Sequence, residues 1–238
     1  MSYQSEAELE KRLLNDLVVH NRYERVTIRN EVDLEDNFRQ QFNLFNQEKL
    51  NGVPLSDKEY ERIMIYLKGK SVYQSAKMLR DKYVLQRDDG SEVYVEFFDS
   101  ADLGKNIFQV SSQVTVIGKY TNRYDVTILI NGLPLVQIEL KRRGLDIKEA
   151  FNQIERYRKH SYQNLYRFIQ IFIISNGVDT KYFANSDGPI LYSYVFFWSN
   201  DRNDRITNLN DFGETFLDRI HLADVIARFM IVNDTDKL

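Results

Sequence analysis

Residues 124–141 read YDVTILINGLPLVQIELK, two apolar runs on either side of Asn131-Gly132. Asparagine followed by glycine tolerates positive φ at both central positions of a two-residue turn, and such turns connect antiparallel strands. The flanking runs are rich in valine, isoleucine and leucine, as in strands that are buried within a sheet. This stretch therefore predicts a β-hairpin, with one strand over residues 124–130 and the returning strand over residues 133–140.

Charged side chains interrupt both predicted strands. Asp125 lies near the start of the first strand, and Glu139 lies near the end of the second. Antiparallel pairing brings these two ends together, and the two-residue period of a strand puts Glu139 and Lys141 on the same face. The sequence therefore predicts that two carboxylates and one ammonium group meet at one rim of the sheet.

These three groups suit the hydrolysis of phosphodiester bonds. Carboxylate oxygens bind Mg²⁺, which keeps several waters and also binds phosphate oxygens. The ion lowers the pKa of a bound water, and a lysine can orient that water or stabilise the charge of the transition state. The backbone carbonyl of Ile138 is predicted as a further ligand, because its side chain points the other way. We predict a Mg²⁺-dependent nuclease site with Asp125, Glu139 and Lys141 as catalytic residues.

The alternative is an ordinary solvated strand face. Glutamate and lysine two residues apart usually form a weak surface ion pair. The context favours function, because Glu139 has apolar neighbours within residues 135–140 and Asp125 precedes an almost unbroken apolar strand. Charges in buried strands are costly unless they are paired or bound to a metal.

The spacing of apolar residues differs between the segments before and after this hairpin. Residues 1–82 read as helical, with capping boxes at Ser5–Glu8 and Ser56–Glu59, and residues from about 83 read as strands. A helix is predicted over 146–160, with one apolar face. The remaining predictions are a buried strand over 169–174, a strand over 191–198 and helical structure over 211–231.

Composition limits the classes of function. The chain has 238 residues, no cysteine and a net charge of −3, so it has no disulfide or thiolate metal site. It has no apolar run of the ~20 residues that span a bilayer and no signal-peptide core near residue 1, so we expect a cytoplasmic protein without membrane contact. The three histidines (His20, His160 and His221) are scattered.

An acidic total means that any contact with nucleic acid must use a local basic patch. Basic residues are concentrated after the hairpin, over residues 142–167. Three of them, Arg158, His160 and Arg167, are not among the predicted DNA-binding residues. Such a patch neutralises phosphates without reading bases, although a solvated helix face is an equal alternative. The predicted DNA-binding residues are Arg142, Arg143, Lys148, Arg156 and Lys159.

The hairpin resembles the nuclease core of the R (restriction) subunit of type I restriction-modification enzymes, of the PD-(D/E)xK superfamily. The likeness includes the N-G-L-P-L turn, the I-E-L-K strand, the Q-x-x-x-Y pattern of Gln153 and Tyr157, and the opening residues 3–10. One departure is that Tyr124, not proline, precedes Asp125. The resemblance implies that Asp125 and Glu139 bind Mg²⁺ and that Lys141 is the catalytic lysine.

The resemblance extends to two further sets of residues. Gln153 and Tyr157 lie one helical turn apart and would support the site or contact the DNA backbone; without the family, a core tyrosine beside an incidental glutamine would be favoured. Many such nucleases add a glutamate from the first helix. Glu6, Glu8 and Glu10 compete for that role, and the capping box accounts for Glu8. Glu10 is favoured, because it lies three and four residues before Leu13 and Leu14 on the core-facing side, although Glu6 lies one turn earlier on a similar face.

We therefore expect an α/β (mixed α+β), restriction-endonuclease-like fold, a mixed sheet flanked by helices. Its segments would be a helical N-terminal segment (1–82), the endonuclease core (83–203) and a helical linker (204–238) towards a motor domain. No G-x-x-x-x-G-K-[ST] loop occurs, so ATP would bind only to a longer subunit.

The expected activity is endonucleolytic cleavage of unmodified double-stranded DNA, with methyltransferase and specificity subunits as partners. The alternatives are a catalytically inert DNA-binding or assembly module of the same fold, and a nuclease of DNA repair or junction resolution.

Overall fold

The computed structural model describes residues 5–117 and 121–230. Within these residues the α-helices are α1 (Glu6–Val19), α2 (Glu31–Phe45), α3 (Asp57–Leu67), α4 (Val72–Met78), α5 (Lys148–His160), α6 (Leu209–Thr215) and α7 (Arg219–Asp224). The strands are β1 (Glu24–Arg25), β2 (Lys82–Gln86), β3 (Glu92–Glu96), β4 (Phe108–Ile117), β5 (Thr121–Ile130), β6 (Leu133–Leu140), β7 (Ile171–Ser175), β8 (Thr180–Ala184), β9 (Trp198–Ser199) and β10 (Arg205–Ile206).

The main sheet contains six strands in the order β1-β4-β5-β6-β7-β8. Strand β5 is antiparallel to both of its neighbours, β4 and β6, whereas β6 and β7 are parallel and are joined through α5. A helical crossover is the usual connection between parallel neighbours. Every residue of β6 and β7 is buried, as their apolar sequences predict. The predicted mixed α/β class is confirmed.

The predicted hairpin turn is confirmed, and it is buried. Asn131 has φ 53° and Gly132 has φ 81°, so both occupy the left-handed region. The Asn131 side chain accepts a hydrogen bond from the Ile107 amide at 2.8 Å and donates one to the carbonyl of Phe97 at 3.1 Å. Gly132 faces α2, where an added Cβ would lie 2.7 Å from the Cα of Phe38. The turn is therefore fixed by tertiary contacts as well as by its own backbone.

A β-bulge lies between this turn and the far end of the hairpin. Leu129 pairs with Pro134, but the next pair is Ile128 with Val136, so Leu135 is an extra residue on β6. A bulge shifts the pairing of all later residues by one position. The pairing then runs regularly to Val126 and Ile138.

The N-terminal helices begin where the sequence predicts. Ser5 and Ser56 cap α1 and α3, and in both helices the glutamate three residues later completes a capping box. Helix α1 buries its leucine face and contacts β4, β5, β6 and α6. Apolar residues from Leu9 to Ile226 form a continuous hydrophobic core. Helix α1 is thereby held against the strands of the central hairpin.

After residue 190, the predicted strand over 191–198 is wrong, whereas the predicted helical structure over 211–231 is confirmed as far as residue 229. Residues 191–198 form a 3-10 turn (Tyr192–Tyr194) and a single bridge from Phe196 to Tyr182, before the two-residue β9. The helical region over 211–231 is divided into α6, α7 and a π-helical turn (Val225–Phe229), because Asp218 caps a new helix. Residue 231 lies outside the described residues, as do Tyr3 and Gln4 of the family-like opening.

Among residues 5–117 and 121–230, no helix is both long enough and apolar enough to cross a membrane.

Candidate active site

The hairpin brings Asp125 and Glu139 together. Continuing the pairing of Val126 with Ile138 by one step places Asp125 opposite Glu139, on the same face of the sheet. Asp125 Oδ2 accepts a hydrogen bond from the backbone amide of Leu140 at 2.8 Å. The Glu139 side chain is buried, with 0% of the residue exposed. The two carboxylates therefore share one rim of the sheet, as predicted.

Both carboxyl groups resist ionisation. Burial raises the pKa of Glu139 well above its ordinary value, and the negative charge of Asp125 raises it further. Burial also raises the pKa of Asp125, although the Leu140 amide and the Lys141 ammonium oppose that change. Two neighbouring acids whose pKa values are both raised by burial form a site to which a cation would add stability.

Neutralising Glu139 is expected to stabilise the metal-free protein at neutral pH. Because the folded-state pKa of Glu139 is raised, its ionisation costs nothing below its ordinary value of 4.5 and most above the raised value. Glu139→Gln should raise the free energy of unfolding by about 1–4 kcal/mol at pH 7. Denaturant unfolding in EDTA measures this change. The gain should vanish near pH 4; an equal gain at both pH values contradicts the electrostatic cause.

Gln153 connects the site to α5. Its Oε1 accepts a hydrogen bond from the Lys141 ammonium at 2.6 Å, and its Nε2 donates to Glu139 Oε2 at 2.9 Å. The same Nε2 lies 2.6 Å from the Tyr157 hydroxyl, which in turn donates to the carbonyl of Arg123 at 3.3 Å. Burial, followed by the charge of Glu139, raises the pKa of Tyr157 to about 12. The structure thus brings together all five residues predicted as catalytic.

The first helix supplies two acids near Asp125. Glu10 is half-buried and accepts a hydrogen bond from the Gln113 side chain; burial raises its pKa, and the charge of Asp125 adds to this. Glu6 accepts a hydrogen bond from the Arg142 amide at 3.2 Å, and its charge raises the pKa of Asp125. Glu8 completes the capping box, as predicted. Glu6 and Glu10 therefore both face the site.

The carboxylate oxygens of Asp125 and Glu139 are ligands of the kind that Mg²⁺ prefers. No group of three His, Cys, Asp or Glu side chains in residues 5–117 and 121–230 is arranged to hold a metal ion. Mg²⁺ does not require such a group, because it keeps several waters and is usually bound by one or two carboxylates. The carbonyl of Ile138, predicted as a further ligand, accepts a hydrogen bond from the Gln137 side chain at 3.3 Å.

Two polar residues of the hairpin were missed in the sequence. Thr127 donates to Gln137 Oε1 at 2.8 Å, and Gln137 Nε2 lies 3.3 Å from Glu139 Oε1. Both are buried. The signal was available, because residues 125 and 127 on one strand and 137, 139 and 141 on the other are polar at a spacing of two.

The five predicted DNA-binding residues are all exposed. Arg142 and Arg143 follow β6, and the other three lie on α5. The Lys148 ammonium lies 5.6 Å from the centre of the Tyr192 ring, and the Arg156 guanidinium lies 5.5 Å from that of Tyr157. Arg158, which lies on the same helix but is not one of the five, is only partly exposed, and its guanidinium is hydrogen-bonded to the loop at residues 185–188. A DNA-binding role for the five stays a prediction.

Two of the known proteins that are similar to this chain align with its whole length. The family described as type I restriction enzyme R protein N terminus matches residues 3–189. The type I restriction enzyme SsaAORF53P endonuclease subunit of Staphylococcus saprophyticus is 56% identical over 238 residues, which are 100% of this chain and 26% of that protein. The type I restriction enzyme EcoprrI endonuclease subunit of Escherichia coli is 38% identical over 247 residues, with 100% of this chain and 77% of that protein covered.

A more distant relative is the putative type I restriction enzyme MjaIXP endonuclease subunit of Methanocaldococcus jannaschii. It is 28% identical over 161 residues, which are 63% of this chain and 15% of that protein. The chain thus spans 26% of the length of its staphylococcal relative. From the family match over residues 3–189 and the alignment of relatives to the whole chain, we conclude that this chain belongs to the type I restriction enzyme R protein N-terminal family.

Proposed function

We propose that this chain is a Mg²⁺-dependent endonuclease domain that hydrolyses phosphodiester bonds of double-stranded DNA, with a site of the PD-(D/E)xK type. The observation that carries the proposal is the convergence of Asp125, Glu139 and Lys141, with the Lys141 ammonium and the Glu139 carboxylate bound to the same amide, that of Gln153. The names of the relatives, which are endonuclease subunits, agree with this activity.

Each residue has a distinct task in this proposal. Asp125 and Glu139 would hold the ion, with the Ile138 carbonyl and Glu10 as further candidates. When bound, Mg²⁺ lowers the pKa of a water and offsets the negative charge at the phosphate. The Lys141 ammonium, oriented by Gln153, donates a hydrogen bond to the water or to a phosphate oxygen.

Tyr157 has a positioning task. Its hydroxyl donates to the carbonyl of Arg123 and lies within hydrogen-bond distance of the Gln153 amide. The Gln153 amide thus has a fixed orientation, with its oxygen towards Lys141 and its nitrogen towards Glu139. A polar group whose neighbours fix its rotamer loses little entropy when substrate binds.

The larger assembly belongs to the same proposal. The exposed Arg142, Arg143, Lys148, Arg156 and Lys159 would neutralise DNA phosphates without reading the sequence. A specificity subunit would recognise the target DNA in the cytoplasm, and a methyltransferase subunit would protect DNA by methylating it, so that only unmodified DNA is cut. ATP-driven translocation would come from a motor outside this chain. The division into residues 1–82, 83–203 and 204–238 is part of the proposal.

Metal titration tests the proposal. We expect the wild-type chain to bind Mn²⁺, a paramagnetic substitute for Mg²⁺, and Asp125→Ala to bind it at least about tenfold more weakly, because one of two ligating carboxylates is lost. Water-proton relaxation measures the binding. Asp201→Ala is the control, since Asp201 is exposed. Equal and negligible binding by wild type and Asp125→Ala would instead identify an inert module of the same fold.

A further inference from the structure

A cavity of about 310 Å³ lies beside the C-terminal part of α5, beyond Gln153. The loop at residues 185–189 and the start of α4 enclose it on the other sides. Its lining includes three basic side chains, those of Arg158, Lys159 and Arg167, and the buried rings of Tyr162 and Tyr166. The cavity lies outside the group of residues around Asp125 and Glu139.

The acidic groups of the cavity already have partners. Glu155 forms an ion pair with Arg158, whose guanidinium also donates to Asn185 Oδ1 at 3.1 Å and to the carbonyl of Gly188 at 2.8 Å. The Asp187 carboxylate accepts hydrogen bonds from the amides of Val72 at 2.8 Å and Tyr73 at 3.0 Å, at the start of α4. These contacts hold the loop in place and compensate both acids.

Two cations of the cavity remain uncompensated. Arg167 is half-buried and Lys159 is exposed. Neither side chain makes an ion pair or a side-chain hydrogen bond with any of the residues that the structure describes. A half-buried guanidinium without a partner is costly, because it loses part of its hydration and gains no hydrogen bond. Its planar donor groups match the oxygens of a phosphate, which a guanidinium binds through two hydrogen bonds.

We propose that this cavity binds one phosphate group, with Arg167 as the main ligand and Lys159 at the mouth, and that the phosphate belongs to the DNA backbone. The choice of DNA as the source rests on the proposed nuclease function, whereas the choice of phosphate rests on the cavity. Lys159 follows Gln153 by six residues on one helix, a distance of about 9 Å along the axis.

Salt-dependent DNA binding tests this proposal. The intact chain is titrated against a fluorescent 20-base-pair duplex in EDTA, so that no cleavage occurs and a failure of the nuclease proposal does not affect the result. For Arg167→Gln combined with Lys159→Gln, we expect roughly tenfold weaker binding and a slope of log K against log salt that is smaller by about 0.9, the value for one lost phosphate contact. Arg167→Lys should keep most of the slope, because it keeps the charge.

The control is Arg202→Gln, since Arg202 is exposed in the turn between β9 and β10 and lies outside the cavity. Thermal unfolding with and without 20 mM inorganic phosphate forms the second arm. Protection of the wild type but not of the double variant supports a phosphate site; unchanged DNA affinity alongside it assigns the site to a free phosphate and overturns the DNA source. A double variant that equals the control in both arms overturns the site itself.

Discussion

Lys141→Ala is expected to lower the rate of DNA cleavage by at least about 100-fold in the R subunit assembled with its partner subunits. The Lys141 ammonium is half-buried and is held at 2.6 Å from Gln153 Oε1, so it is positioned before substrate arrives. A fixed positive charge in a site that excludes water stabilises developing negative charge more strongly than a mobile one. The measurement is the first-order rate of strand cleavage with Mg²⁺ and ATP, under single-turnover conditions.

Two further variants separate catalysis from structure. Lys141→Arg keeps the charge but changes the shape and the donor geometry, and we expect it to recover only part of the rate. Lys77→Ala removes an exposed lysine of α4 and should cleave like the wild type. All three variants should unfold cooperatively with a similar DNA affinity. Near wild-type cutting by Lys141→Ala would remove this lysine from the mechanism.

Gly132→Ala is expected to destabilise the fold by roughly 3 kcal/mol, the sum of two effects. A side chain at φ 81° has a strained backbone, which costs about 1–2 kcal/mol. The added Cβ would also lie 2.7 Å from the Cα of Phe38, so helix α2 must move away from the hairpin. Overpacking of this kind costs about 1–3 kcal/mol. Urea unfolding followed by circular dichroism measures the loss.

Gly90→Ala is the matched control. Gly90 also has a positive φ of 85°, but nothing lies within 4 Å of its added Cβ. Its substitution should therefore cost only the same backbone strain, about 1–2 kcal/mol. If Gly132→Ala and Gly90→Ala lose the same stability, the contact between the turn and α2 has no energetic role.

Local sequence was enough to predict the centre of the fold. The Asn131-Gly132 turn, the polar alternation around Glu139 and the two capping boxes each depend on residues within a few positions of one another. The apolar face of α5 was also correct, because a helix period is visible in a single sequence. Antiparallel pairing was enough to predict that the two carboxylates lie at one rim of the sheet, whereas their common face depends on the bulge at Leu135.

Contacts between distant segments could not be predicted in this way. Helical spacing and the family likeness favoured Glu10, but the sequence did not indicate that Glu6 faces Asp125 as well. The two-residue β1, which pairs in parallel with β4, has no pattern long enough to detect. Residues 191–198 have the composition of a strand but lack a neighbour along most of their length, since β8 offers them only the bridge at Tyr182.

The roles of Gln153 and Tyr157 illustrate the difference between pattern and geometry. Their helical spacing showed that they share a face, and the family likeness suggested that this face turns towards the site. Only the structure shows that one amide group contacts both Lys141 and Glu139. A sequence alone does not distinguish a glutamine whose amide bridges two charged groups from one whose amide faces solvent.

Leu135 is an extra residue on β6, and it decides on which face of the sheet Glu139 lies relative to Asp125. Without it, the pairing of Leu129 with Pro134 would continue so that Asp125 lay opposite Ile138 and the carboxylates lay on opposite surfaces. Lengthening or shortening this segment by one residue therefore separates the acids, whereas a change by two restores their common side. Anyone grafting the hairpin onto another scaffold must copy the odd residue together with the charged ones.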